Sequence, residues 1–248
     1  MAKYLRLENK DYEVLECING DCYIKDKKTD KYYFKQAFFA SQNVDLKEIQ
    51  ERSKKLADGI FVALIAMSVL MLAYILFKLN LVFDSKIKYT WSFYFETIAF
   101  LIFNIVFHEF AHFLTMWVYG RKVNKIGFKF NFIFPAFFVN TSDSYLLPRA
   151  RRFFVYYSGI MINVYMIFLV LVFTPQYAYL TRIILWAIMM NVLPIGALKT
   201  DGYHIIFNII FRVNDFKKSN NIVFVIVKYA FMAVIIILFL LTILKLWG

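Results

Sequence analysis

The chain has 248 residues, of which 61% are hydrophobic and 20% aromatic, and its mean hydropathy is +0.57. Its net charge of +12 does not indicate nucleic-acid binding, because residues 1–59 carry 12 basic and 11 acidic residues, whereas residues 60–248 carry 17 and 6. That excess lies in short segments beside apolar runs, where Lys and Arg orient membrane proteins and contact anionic lipids. The composition therefore predicts an integral membrane protein whose partner is the lipid bilayer, with no nucleic acid.

Residues 1–58 are polar and densely charged, and we interpret them as a cytosolic N-terminal segment distinct from the transmembrane domain of residues 59–248. Asn19-Gly20 lies between two short apolar runs and indicates a hairpin. Two roles remain open for this segment. It is either a lead-in to the membrane or a module on which a peptide docks.

Five apolar runs in the remaining chain are candidates for membrane-spanning helices. They are Ile60–Phe77, Thr90–Tyr119 approximately, Phe153–Thr174, Ile183–Leu198 and Ile222–Leu244. A further run, Tyr203–Phe211, is too short to cross and suits a re-entrant or interfacial helix. The predicted fold class is therefore an all-α polytopic membrane protein with five to six transmembrane helices.

The second run contains the motif His108-Glu109-Phe110-Ala111-His112 near its end. Residues at i and i+4 share one face of a helix, so both imidazoles can reach one metal ion, and Glu109 can accept the proton of an attacking water. A charged group at mid-membrane costs about 2.5–3.5 kcal/mol, and a bound cation would compensate for it. The alternative is that these three polar residues pack between helices without a metal.

The segment between the second and third runs, Ile126–Pro135, alternates partly like a strand. One interpretation is a re-entrant hairpin whose edge accepts an extended peptide by β-addition. The other is an amphipathic loop that rests on the lipid headgroups.

A catalytic zinc site needs three protein ligands and one open position. His108 and His112 supply two ligands, and Asp201, which follows the fourth run, has suitable chemistry for the third. Gly202 lets the backbone turn sharply after it. His204, three residues after Asp201, is either a further ligand, a group that supports one, or an interfacial side chain. The predicted cofactor is Zn²⁺.

Basic residues are concentrated in two of the connecting segments, seven in Arg121–Arg152 and four in Lys199–Asn220. The positive-inside rule therefore places both segments and the N-terminus in the cytosol, in a multi-pass protein of the cell membrane. This orientation puts the end of the second run and the start of the Asp201 segment on the same side.

Three motifs together resemble the site-2 protease family of intramembrane zinc metalloproteases. They are HEFAH on the second run, Gly159-Ile-Met-Ile-Asn163 on the third, and Asn191-Val-Leu-Pro194 followed by Asp201-Gly202 after the fourth. Phe134–Pro148 and Lys199–Tyr203 look more narrowly like bacterial members linked to small-peptide and bacteriocin gene clusters. Ile160 stands where the family has proline, and the interval from Pro194 to Asp201 is longer than in the family.

The resemblance implies roles for five residues. His108, His112 and Asp201 would bind zinc, Glu109 would be the general base and acid, and Asn191 would be a polar group near the substrate or oxyanion. The implied enzyme cuts a membrane-associated peptide or a transmembrane segment in peptide maturation or turnover, and a peptide-export transporter is a further predicted partner. Two alternatives remain: a non-catalytic protein of bacteriocin immunity or peptide export that keeps the fold, and a metal-ion carrier.

Overall fold

A computed structural model describes residues 4–17, 21–36, 47–48, 53–84, 90–131, 134–192 and 200–206, together with isolated positions after 225. These residues form an N-terminal sheet, a group of apolar helices and a β-hairpin between two of the helices.

The N-terminal sheet is antiparallel and has the strand order β4-β3-β2-β1-β5. Its strands are β1 Tyr4–Glu8, β2 Tyr12–Cys17, β3 Asp21–Asp26, β4 Lys31–Gln36 and β5 Lys47–Glu48. The hairpin expected around residues 19–20 is present as the β2–β3 pair, although its turn lies outside the described residues. Alternation gives the sheet two faces, and one of them packs against Tyr145 and Leu146 of the helical part.

The prediction of an all-α fold is therefore wrong. The sequence of residues 1–58 conceals its strands because they are short and charged side chains interrupt their apolar pattern, for example Glu13 and Lys25, which lie opposite each other on one face of β2 and β3. The side chain of Asn9, which accepts the amide hydrogens of Asp11 and Tyr12, makes the β1–β2 turn. Such turn residues are as frequent in irregular polar segments as in sheets.

Six helices are described: α1 Lys55–Phe77, α2 Leu79–Asp84, α3 Trp91–Val118, α4 Arg149–Phe173, α5 Ala178–Val192 and α6 Asp201–Tyr203. Among the described residues, α1, α3 and α4 are long and apolar enough to cross a membrane. Five to six transmembrane helices were expected, and the described part of the chain contains three candidates. The α5 helix has 15 described residues, which is short for a span, and the run Ile222–Leu244 lies almost entirely outside the described part.

The central helix is α4, because α1, α3 and α5 all pack against it. It runs antiparallel to α3, so that Asn104 on α3 hydrogen-bonds Asn163 on α4 at 3.0 Å, and two turns further His112 bonds the carbonyl of Val155 at 2.7 Å. This register brings the middle of α4 directly opposite the HEFAH motif.

A β-hairpin, β6 Ile126–Asn131 and β7 Phe134–Val139, connects α3 to α4. Of the two interpretations of Ile126–Pro135, a hairpin and an amphipathic loop, the structure has the hairpin, and its second strand extends to Val139. The β7 strand lies beside α3 and is followed by a short helical turn, Ser142–Leu146, which we call the 142–146 turn.

Candidate metal centre

The two histidines of the HEFAH motif occupy the buried face of α3. His108 is 7% and His112 4% exposed, and they lie one turn apart, as their spacing predicts. Thr90 caps the N-terminus of this helix, because its side chain accepts the amide hydrogen of Phe93. Regular helical geometry is therefore sufficient to align the two imidazoles.

Asp201 completes a triangle of potential metal ligands with these histidines. Its Oδ2 lies 3.1 Å from Nε2 of His108 and 3.3 Å from Nε2 of His112, and the two nitrogens are 3.3 Å apart. Four ligands arranged tetrahedrally at 2.0–2.1 Å from zinc are about 3.3–3.4 Å from one another. The three atoms therefore have the separation that a tetrahedral zinc ion needs, with its fourth position left for substrate or water.

The Asp201 carboxylate reaches the histidines from the first turn of α6. Thr200 begins this turn, and its hydroxyl accepts the amide hydrogen of Tyr203 at 3.3 Å. The turn packs against α4 and α5. The sequence predicted only that Asp201 and the motif lie on the same side of the membrane, whereas the structure brings them into contact. Its role as a ligand remains a prediction.

The orientation of His112 is fixed from the side opposite to the triangle. Its Nδ1 bonds the carbonyl oxygen of Val155 at 2.7 Å, so Nδ1 carries the proton and the Nε2 lone pair faces Asp201 and His108. A ring N–H donated to a carbonyl is the usual support of a metal-binding histidine. This backbone partner has no signature in the sequence.

Gly159 allows α4 to approach the imidazoles closely. A Cβ atom at this position would lie 2.5 Å from Cε1 of His108 and 2.6 Å from Nε2 of His112. Both distances are far below van der Waals contact, so any side chain here would displace the rings. The glycine that begins the Gly159-Ile-Met-Ile-Asn163 motif therefore has a specific reason to be glycine.

Glu109 lies beside the triangle and is oriented by the hairpin. Its Oε2 accepts the backbone N–H of Val139, the last residue of β7, at 2.8 Å. The sequence identified the glutamate, but the amide that holds it comes from a strand end thirty residues away. No pattern in the sequence marks that contact.

Two other predicted site residues lie outside the triangle. The ring of His204 stacks on Tyr156 with centroids 4.4 Å apart, and the described metal-binding group consists of His108, His112 and Asp201. Asn191 lies half-buried in the last turn of α5, and the residues that join it to Asp201, 193–199, are outside the described part. Its role in binding substrate remains a prediction.

One turn away from His108, a pair of asparagines joins α3 to α4. Asn104 donates to Oδ1 of Asn163 at 3.0 Å, and both side chains are at most 2% exposed. In an apolar setting such an interhelical bond contributes about 0.6–2 kcal/mol. The sequence indicated Asn163, whereas Asn104 was recognisable only from its position four residues before His108.

A HExxH-type helix with a carboxylate from a distant turn and a glutamate beside both is the arrangement typical of zinc metalloproteases, here on helices long enough to cross a membrane. A protein of Bacillus subtilis (strain 168) named "Putative peptide zinc metalloprotease protein YydH" is 31% identical to this chain over 219 residues, which cover 82% of each protein. The chain belongs to this peptide zinc metalloprotease family, and zinc is its cofactor. No protein-family model and no solved structure matches the chain.

Proposed function

We propose that this protein is an intramembrane zinc protease of the site-2 type. It hydrolyses a peptide bond in a membrane-associated peptide or transmembrane segment during the maturation or turnover of small peptides. The observation that carries this proposal is the buried triangle of His108, His112 and Asp201 with Glu109 beside it, on an apolar helix. The relative's name supports a peptide substrate.

The position of the triangle along α3 favours chemistry inside the bilayer. The helix has 28 residues and is therefore about 42 Å long, whereas the hydrocarbon core is about 30 Å thick. His112 lies six residues before its C-terminal end, which corresponds to about 9 Å along the axis. A substrate would reach the site near one membrane surface, on the side of the hairpin.

The reaction needs a Lewis acid, a base and an oriented peptide bond. His108, His112 and Asp201 would hold zinc, and bound zinc would supply the Lewis acid that polarises the scissile carbonyl and makes an attacking water more acidic. The Glu109 carboxylate accepts the proton of that water and transfers it to the leaving amine. The Val139 amide holds Glu109 in place while it does so.

The hairpin offers an edge on which an extended peptide can bind. The N–H of Asn140 donates to the carbonyl of Lys125, so the amides of alternate residues point towards β6, whereas that of Phe137 and that of Val139, which donates to Glu109, point away from it. Pro135 lies on the same outer edge and has no amide hydrogen that would be left unpaired there. A peptide added along this edge would run past Glu109, as β-addition predicts.

Glu109→Gln tests the proposal. The amide cannot accept a proton, so we expect the purified variant to keep about one zinc per chain but to lose cleavage by at least about 100-fold. The substrates are synthetic single-span peptides reconstituted with the protein in lipid vesicles, and mass spectrometry identifies the products. The variant His108→Ala/His112→Ala should lose both zinc and cleavage.

Two results would contradict the proposal. Cleavage by Glu109→Gln at the wild-type rate would remove the glutamate from the reaction. Wild-type protein that holds zinc but leaves every peptide intact, including one encoded beside its gene, would favour the non-catalytic role in immunity or export.

A further inference from the structure

The segment between β7 and the middle of α4 contacts the metal centre at both of its ends. At one end Val139 donates its amide hydrogen to Glu109, and at the other end Val155 accepts the Nδ1 hydrogen of His112. Contacts that hold the residues between these two ends in place therefore also help to position Glu109, the proposed base, and His112, a proposed ligand.

The N-terminal sheet holds the middle of this segment at Asp143, in the 142–146 turn. The Asp143 carboxylate accepts hydrogen bonds from Nζ of Lys25 on β3 at 2.5 Å and from the hydroxyl of Tyr32 on β4 at 2.8 Å. Asp143 is 4% and Lys25 8% exposed. This ion pair is thus buried between the sheet and the turn.

The end of α3 joins the same network through Arg121. One guanidinium nitrogen bonds Glu13 on β2 at 2.7 Å, and another lies 3.4 Å from Asp143. Because Arg121 is 6% exposed, its charge is balanced by these two carboxylates rather than by water. The sheet, the 142–146 turn and the helix that bears the histidines therefore share one buried set of charges.

A second contact holds the start of α4. The guanidinium of Arg152 lies 4.4 Å from the ring centre of Tyr23 on β3 and 5.4 Å from that of Tyr145, and it donates to the carbonyls of Tyr145 and Leu147. Arg152 is 1% exposed. Tyr23 and Tyr145 also stack on each other, with centroids 6.0 Å apart.

The charges of the Asp143 contact are maintained despite burial. Burial raises the pKa of the Asp143 carboxyl, but the charge of Arg121 and the hydrogen bonds from Lys25 and Tyr32 outweigh it, so the pKa lies below its ordinary value. Burial likewise lowers the pKa of Lys25, and its contacts with Asp143 and Tyr32 reverse this effect and raise it.

We propose that the N-terminal sheet is a positioning element of the metal centre and that Asp143 is the positioning residue through which it acts. By holding Asp143, the sheet fixes the strand end that presents the Val139 amide to Glu109. This inference rests on the proposed function of Glu109. It gives residues 1–58 a role that is neither a simple lead-in nor peptide docking.

The test compares variants of the full-length protein in lipid nanodiscs. Lys25→Met and Asp143→Asn each remove one charge of the contact, and the double variant removes both. Lys27→Met is the matched control, because Lys27 lies two residues further along the sheet and pairs with Glu8, away from the 142–146 turn. The readouts are zinc content, kcat and KM for a cleaved synthetic peptide, and amide hydrogen exchange followed by mass spectrometry.

We expect exchange to accelerate in residues 134–146 of Lys25→Met and Asp143→Asn and to stay unchanged in the centre of α3 and α4. Zinc content should stay at the wild-type value, since the ligands lie on other elements. Misplacement of a catalytic group by about 1 Å costs about 100-fold, so kcat should fall by about 10–100-fold, with a smaller change in KM. The double variant should lose no more than the worse single variant.

Three outcomes would overturn the inference. The variants could keep wild-type exchange in residues 134–146 together with wild-type kcat. They could show faster exchange in all helices with loss of zinc, which would assign the contact to folding alone. Lys27→Met could give the same local effect as Lys25→Met. If the wild type cleaves no peptide, the proposed function fails, but the exchange pattern still decides whether the sheet controls the Val139 end of β7.

Discussion

At the residue scale, the triangle of His108, His112 and Asp201 is an arrangement that a cation stabilises. Three atoms that each offer a lone pair converge within 3.1–3.3 Å in a place from which water is largely excluded. A positive charge, from a metal ion or from a proton on an imidazole, must lie between such atoms, because lone pairs at this distance otherwise repel one another. The separations within the triangle match those of a metal-binding site.

Asp201→Asn tests the third ligand. A neutral amide is a poor zinc ligand and leaves the charge of the ion less compensated, so we expect zinc affinity and peptide cleavage to fall together, each by at least about tenfold. Competition with a chromogenic zinc chelator measures the affinity, and Asp201→Glu should restore part of it.

His204→Ala is the comparison for this prediction. His204 stacks on Tyr156 and is not one of the three ligand residues of the triangle, so its loss should leave the zinc affinity within about threefold of wild type, the size of a surface or packing change. If Asp201→Asn kept its zinc and His204→Ala lost it, the coordinating position would lie three residues further along the chain.

Gly159→Ala tests the close approach of α4. The new methyl group would lie 2.5–2.6 Å from both imidazoles, so the rings must move, and we expect zinc affinity to fall by about 10–100-fold. Gly59→Ala is the control, because no heavy atom lies within 4 Å of the position of its added Cβ. The control should bind zinc as the wild type does and gain about 0.5–1 kcal/mol of helix stability. Equal zinc affinity in both variants would show that the rings tolerate the methyl group.

The sequence predicted the residues of the centre that carry distinctive side chains. The His–x3–His spacing is a geometric property of a helix, and Asp201 stood out as a carboxylate beside an apolar run. It did not predict the Val139 amide or the Val155 carbonyl, because every residue has these backbone groups and only the tertiary structure selects two of them. Asn191 remains a prediction that the described contacts do not test.

At the scale of elements, the sequence contained more evidence for the hairpin than for the strands of the N-terminal sheet. Ile126–Pro135 alternates apolar and other residues, so a hairpin was one of its two interpretations, whereas strands β1–β4 were read as a polar segment apart from one hairpin signal. The sheet buries charge pairs such as Lys25 and Asp143, which are 118 residues apart. A contact over that distance cannot be inferred from local periodicity. Through this contact a β-sheet packs against the helical part of a protein that the sequence predicted to be all-α.

The contact of the sheet with the 142–146 turn should weaken in acid. The folded-state pKa of Asp143 lies below its ordinary value of 3.8, so the stabilisation from its charge is complete above pH 3.8 and is lost as the pH falls through the folded pKa. Hydrogen exchange in residues 142–146, corrected for the intrinsic effect of pH, should therefore show protection that decreases in this range. In Asp143→Asn the protection should be lower at neutral pH and depend less on pH. Identical pH profiles for the two proteins would exclude Asp143 as the responsible group.

At the scale of the whole molecule, the two ends of the helical group differ in charge. One end carries the sheet, the hairpin and Asp58, whose carboxylate binds Tyr119 and Arg151. At the other end Arg182 caps the carbonyls of Val82 and Phe83. All seven basic residues of Arg121–Arg152 belong to the first end. The orientation predicted from the sequence would place this end in the cytosol.

Cysteine labelling tests that orientation independently of the chemistry. The background replaces the two native cysteines, Cys17 and Cys22, and single cysteines are then introduced as Ser142→Cys, Ser219→Cys and Ser85→Cys. If basic segments remain in the cytosol, a membrane-impermeant maleimide added to intact cells should label only the cysteine at position 85, and lysis should expose the other two. The proteins must retain zinc, which shows that each variant is folded. Labelling of position 142 in intact cells would place the sheet, the hairpin and the metal centre at the outer surface and would require a substrate that approaches from outside the cell.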